Sequence, residues 1–280
     1  MQMTTTHQAR KPGAYIFELF MILLSMIVVI PLLLLLLNSV KNPVESSVLT
    51  LRLPTEWVFG NYAVVVQKSH VIRSLFNSLF ISGVSVVLNI FCSALASYCI
   101  CRRTTKLNNF FYRLFFLGLI APVSIIPIIR LMQTLHMMNT YTSLILIYTS
   151  INLPFSVFMF TGFIKASVPS EMDEAGIIDG CSGLSVFIRI ILPLLKPVIF
   201  TCIILTFMNV WNDFQFPLYF LNSTAKWTMP LTIYNFSGEF TSEWNLMCAD
   251  MVFMILPIMI LFIFSQKYIV SGMVAGAIKG

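Results

Sequence analysis

Six stretches of the chain are apolar for long enough to cross a bilayer, at about residues 16–37, 74–101, 110–133, 141–164, 198–221 and 246–265, and the charged residues fall mainly between them. From Leu19 to Leu37 only Ser25 and Pro31 interrupt the apolar run. A helix rises about 1.5 Å per residue, so such a run matches a hydrocarbon core of about 30 Å. The blocks are continuous rather than striped at helical spacing, which is the pattern of a membrane span and not of a soluble amphipathic helix. Composition agrees: 58% of the 280 residues are hydrophobic and 10% are charged, against about 25% charged in a soluble domain. The fold expected is an all-α polytopic membrane protein with six transmembrane helices. The first block reads as a retained span, because it exceeds the roughly 7–15 residues of a signal-peptide core and no small-residue cleavage site follows it at Asn38-Ser39-Val40-Lys41.

Six crossings place both termini on one side, and loop charge chooses the side. With residues 1–14 and 267–280 in the cytoplasm, the inner loops hold Arg102, Arg103, Lys106, Arg113, Lys165, Arg189 and Lys196, and the outer ones hold fewer basic residues. That asymmetry predicts cytoplasmic termini. The net charge of +6 follows from this orientation, and no basic tract points to nucleic acid. Between Asn38 and Arg73 lies the longest outer segment, where Trp57, Phe59 and Tyr62 predict a short helix at headgroup level. The six cysteines contain no C-x-x-C pair and the three histidines are scattered, so neither a metal site nor a redox motif is expected.

The inner segment Lys165–Pro197 is more than a connection. In Pro169-Ser170-Glu171-Met172-Asp173-Glu174, Ser170 and Asp173 form a capping-box pattern, and three acids occupy a first helical turn. Gly180 is placed to end that helix in a left-handed conformation, and Ser182 to cap a second one. Two short helices at an angle are expected. Small residues at Ala175, Gly176 and Gly180 let a partner approach the backbone, Glu171 and Glu174 offer charge to a partner's arginine, and Pro193 ends the element.

The stretch Glu174-Ala175-Gly176-Ile177-Ile178-Asp179-Gly180, continuing to Ile190-Ile191-Leu192-Pro193, resembles the EAA coupling loop of ABC importer permeases, with Gly176 standing where Ala is usual. Asn61-Tyr62, Asn77-Ser78-Leu79, Trp211-Asn212-Asp213 and the tail from Gln266 to Gly280 are similar to the MalG-like subunit of maltose-permease carbohydrate importers. The resemblance implies a MetI-like permease fold over residues 15–266, with the coupling loop at 169–193. It implies a second, MalF-like permease, two copies of a cytoplasmic ATPase that bind ATP and Mg, and an extracytoplasmic substrate-binding protein. Glu171, Glu174, Ala175, Gly176, Asp179, Gly180 and Pro193 would then couple to the ATPase. Gln266, Lys267, Gly272, Gly276 and Lys279 of the tail would reach between its copies. No G-x-x-x-x-G-K-[ST] phosphate loop is present in the sequence, so this chain is expected to bind no cofactor and to be no enzyme.

Polar residues inside spans mark a solute path or a helix contact. Asn209, Asn212 and Asp213 share one helix face, and Asp213 falls toward the outer leaflet. Arg130 and Asp250 also fall near outer ends, so an ion-paired cluster of Arg130 with Asp213, Asp250 or both is expected, either at the mouth of the path or as a packing pair. Asn77, Asn89 and Asn152 line the path or hydrogen-bond between helices. Phe155, Phe158 and Phe160 stack on a sugar ring or pack. The solute expected is a sugar or oligosaccharide. Glycerol 3-phosphate or a polyol is the alternative within the same subunit type. An ion-coupled secondary transporter would need a carboxylate at the bilayer midplane, which is lacking.

Overall fold

The computed structural model describes residues 12–103, 105–238 and 242–277, with side chains except at 12–16, 265 and 267–277. Its elements are helical, and the β structure among the described residues is a bridge between Ser237 and Ser242. The described residues form two compact units, one from those up to Lys68 with those between Tyr234 and Phe253, the other from those between Ser69 and Ile233 with those from Met254 onward.

In the first unit, helix α1 (Pro12–Ser39) exposes nearly its whole apolar length from Phe17 to Leu36, a surface that requires lipid or a partner around it. A short helix, α2 (Pro43–Ser46), follows it, and the end of α1 is held by polar contacts. Lys41 is 1% exposed, and its ammonium donates to Asn38 Oδ1 (3.1 Å), Thr50 O (2.7 Å) and Thr50 Oγ1 (3.1 Å). The Asn61 amide on α3 (Gly60–Lys68) donates to the carbonyls of Ser39 and Lys41 at 2.9 and 2.8 Å, and Asn245 donates to Asn61 Oδ1 at 3.1 Å. The short outer helix therefore exists, but it begins at Gly60. Trp57 and Phe59 precede it, exposed and stacked at 6.0 Å, while Tyr62 packs edge-on against Phe253.

In the second unit, α4 (Val71–Arg102) packs along α7 (Tyr141–Ser167), and α11 (Lys196–Asn212) packs on both. The α4 face toward its neighbours carries buried Ser78, Ser82, Ser85, Asn89, Ser93 and Ser97 at helical spacing. Small side chains let helix backbones approach, and their hydroxyls bond across or back onto the helix. Ser97 donates to the Val157 carbonyl at 3.1 Å, and Ser156 donates to Asn89 Oδ1 at 2.6 Å.

Prolines decide where helices bend. The stretch expected as one third span is two helices, α5 (Lys106–Ile120) and α6 (Ile125–Thr134), meeting at 119°. Pro122 has no N–H to give and forces Ala121 into extended backbone (ψ 128°), so the helix stops there. Pro154 lies inside α7 without ending it. The stretch 198–221 is also interrupted: α11 ends at Asn212, Asp213 is extended (ψ 127°), and α12 (Gln215–Phe220) follows. Helix α13 (Trp244–Ala277) contains Pro257.

Candidate functional site

The loop between α7 and α11 folds as two short limbs. The first is α8 (Glu171–Ile178). Its C-terminus is a Schellman motif: Cys181 N–H donates to the Gly176 carbonyl and Gly180 N–H to that of Ile177, both at 3.0 Å, with Gly180 at φ +81°. The second limb opens with α9 (Gly183–Val186), where Ser182 Oγ accepts from Ser185 N–H at 3.4 Å. These two signals work as the sequence suggests. The capping box does not form. Ser170 is already helical (φ −68°, ψ −26°) and its side chain caps nothing. Asp173 instead turns inward to Arg102 at the end of α4, Nε to Oδ2 2.7 Å, and accepts the Tyr98 hydroxyl on Oδ1 at 2.5 Å. An ion pair with little water around it outweighs a local cap.

Gly176 is buried, and a Cβ there would stand 2.9 Å from both Val186 Cγ2 and Ile190 Cδ1. Its smallness serves the contact between the two limbs, not the approach of a partner. Glu171, Glu174, Ala175, Asp179 and Gly180 are exposed, and beside them Ile177 (61%) and Ile178 (84%) make an apolar tip. Pro193 does not end the element. A π turn spans Phe187–Ile191, α10 (Leu192–Leu194) takes Pro193 in its first turn where no N–H is required, and the chain bends by 77° at Leu195.

A second feature is a cavity of about 660 Å³ among α6, α7, α11 and α12, lined by Val123, Ser124, Tyr148, Asn209, Asn212, Asp213, Gln215 and Phe216 with neighbouring apolar residues. It brings Asn209, Asn212 and Asp213 together. Asp213 accepts the Tyr148 hydroxyl on Oδ2 at 2.7 Å and the N–H groups of Gln215 (3.2 Å) and Phe216 (3.0 Å), so it caps α12. Its oxygens are thus occupied, and the expected pair with Arg130 is not formed among the described residues. Arg130 is exposed on α6. Asp250 is 3% exposed and belongs to the other unit.

The remaining asparagines are engaged in hydrogen bonds, two of them between segments and one within its own helix. Asn77 donates to the carbonyls of Ala225 (3.2 Å) and Trp227 (2.9 Å) and accepts from Tyr141. Asn89 is fully buried between α4 and α7, donating to the Thr149 carbonyl at 3.4 Å. Asn152 bonds to the Tyr148 carbonyl one turn back. Phe160 is core, while Phe155 and Phe158 are partly exposed. Gln266 is exposed on α13; at Lys267, Gly272 and Gly276 only helical backbone is described, and Lys279 lies outside the described residues. Sequence reasoning missed Tyr148 and the Tyr98–Arg102 pair. The four-residue spacing of the latter at a span's end was the available signal.

A helical membrane protein with a capped, apolar-tipped loop and a polar-lined cavity has the layout of a transport permease. The chain belongs to the family of binding-protein-dependent transport system inner membrane components, whose model matches residues 89–274. It is 34% identical over 229 residues to the melibiose/raffinose/stachyose import permease protein MelC of Bacillus subtilis (strain 168), covering 81% of this chain and 83% of that protein. It is 30% identical over 267 residues to AmyC of Thermoanaerobacterium thermosulfurigenes, a probable starch degradation products transport system permease, covering 95% and 97%. The fold is similar to that of a chain in the crystal structure of a bacterial ABC transporter involved in the import of the acidic polysaccharide alginate. The TM-score is 0.79 over 94% of this chain and 99% of that one, at 18% identity.

Proposed function

We propose that this permease carries a neutral sugar or short oligosaccharide inward, as one of two permease subunits driven by a pair of ATPase subunits. In this reading both termini and the loop at 169–193 face the cytoplasm, and a binding protein delivers solute outside. ATP and Mg belong to the ATPases, and this chain performs no chemistry of its own. The observation that carries the reading is the tip of α8, where Ile177 and Ile178 stand exposed beside Glu171 and Glu174 on a helix locked by its own C-cap. Exposed apolar residues on a rigid polar-rimmed element suit a cleft in a partner. Asn209, Asn212, Gln215 and Tyr148 offer the cavity donors and acceptors that hydroxyl groups require.

A sugar is favoured over glycerol 3-phosphate by charge. Among the described residues the cavity is lined by one carboxylate, Asp213, and by no cationic side chain that would meet a phosphate. Relatives named for melibiose, raffinose and stachyose, and for arabino-oligosaccharides, support the same choice. The test is reconstitution in liposomes with the companion permease, ATPase and binding protein. ATP-dependent uptake of a labelled tri- or tetrasaccharide is expected, and Glu174→Arg should abolish it while membrane insertion stays normal. Uptake without ATP, or uptake of glycerol 3-phosphate alone, would overturn the proposal.

A further inference from the structure

Tyr98 and Arg102 are four residues apart, hence on one face of α4 at its last turn. That face grips both limbs of the coupling loop. Arg102 Nε pairs with Asp173 Oδ2 at 2.7 Å, and its Nη2 donates to the carbonyls of Val168 (3.1 Å) and Pro169 (3.2 Å), which lead from α7 into α8. Tyr98 donates to Asp173 Oδ1 at 2.5 Å, so both carboxylate oxygens are taken by α4. The Tyr98 ring also lies against Phe187 of the second limb, centroids 5.2 Å apart, and Phe187 is 1% exposed. The two ion-pair side chains are only 18% and 13% exposed, so solvent screens the pair weakly.

The loop is covalently joined to α7 and α11 alone. We infer that Asp173, Arg102 and Tyr98 form a non-covalent strut that makes α4 a third member of the moving body, so that a push on α8 shifts α4 together with α7 and α11. Asp173 and Arg102 are positioning residues, acting through α8 and the carbonyls that lead into it. The physical reason is stiffness. Short helices joined through a helix break at Val168–Pro169 and a 77° bend at Leu195 would be free to rotate in place under load without a further tie. A poorly screened ion pair, made by a guanidinium that also holds two carbonyls of the loop, removes that freedom. Arg102 uses two nitrogens of one rigid plane, Nε toward the carboxylate and Nη2 toward the two carbonyls, an arrangement that the single ammonium of lysine does not reproduce.

The inference rests on the permease reading above, and its test separates the two. In the reconstituted complex, Asp173→Asn and Arg102→Gln should each lower the amount of solute carried per ATP hydrolysed by about tenfold, a factor within the usual span of coupling between sites. Binding of the ATPase is retained. The double variant should be no worse than either single one, because both remove the same strut. Tyr98→Phe, which keeps the ion pair, should give a smaller drop in the same ratio and carries the test should the charge variants fail to assemble. A merely structural role would reduce complex yield and leave the ratio of transport to hydrolysis unchanged; that outcome, or additive losses in the double variant, refutes the strut. Failure of the ATPase to bind the wild-type chain would instead refute the permease reading.

Discussion

Gly176 and Val186 face each other across the two limbs of the loop between α7 and α11, so closely that a methyl group on the glycine would sit 2.9 Å from the valine Cγ2. The contact fixes the spacing between the two limbs. It also explains why a residue of poor helix propensity stands in the middle of α8, where it costs about 1 kcal/mol relative to alanine.

Enlarging Gly176 should therefore act through Val186. Ile190 also touches the site, but its Cδ1 is the free end of a side chain and can swing aside, whereas Val186 is branched at Cβ and stiff. Gly176→Leu is expected to destabilise by about 1–3 kcal/mol through overpacking and to lower the thermal midpoint in detergent. Adding Val186→Ala should recover part of the loss. A neutral Gly176→Leu variant would show that the limbs are not held at this spacing.

Asp213 works as a helix cap and as the acceptor for Tyr148; the single carbonyl oxygen of asparagine can keep the Tyr148 and Phe216 contacts and gives up the 3.2 Å one to Gln215. Asp213→Asn should retain most uptake. Asp213→Ala should lose it along with about 0.5–2 kcal/mol of stability, the usual worth of an N-cap. Uptake kinetics and thermal melts on the two variants check this. Equal damage from both would mean that the negative charge itself is what the transporter uses.

Asn89 should report on stability and not on solute. It accepts from Ser156 at 2.6 Å inside the α4–α7 contact and is fully buried, so Asn89→Ala leaves a buried hydroxyl without its acceptor. A loss of about 1–3 kcal/mol is expected, with the KM for uptake unchanged. A shifted KM at unchanged melting temperature would restore this residue to the solute path.

How much of this could be read from residues alone depends on the range of the cause. Gly180 and Ser182 were legible because a left-handed C-cap and a serine N-cap involve neighbours within a few residues. The break between α5 and α6 was not read from the stretch 110–133: Pro122 fixes only local torsions, and the 119° angle comes from what the two helices pack against. Asp173 misled, because its local pattern with Ser170 competes with an arginine on another helix that a linear scan does not see. The buried serines on α4 were a missed clue: a stripe of small polar residues at helical spacing marks a helix contact, and it would have assigned Asn89 to that contact.

The two interrupted helices have their gaps on the same hollow. Val123 and Ser124, between α5 and α6, and Asp213, between α11 and α12, all border the 660 Å³ cavity. Peptide groups released from a helix need replacement partners, and acyl chains supply none. At the second gap Asp213 itself meets two of them, the N–H groups of Gln215 and Phe216, so the polar lining of the recess does for the broken helix what lipid cannot.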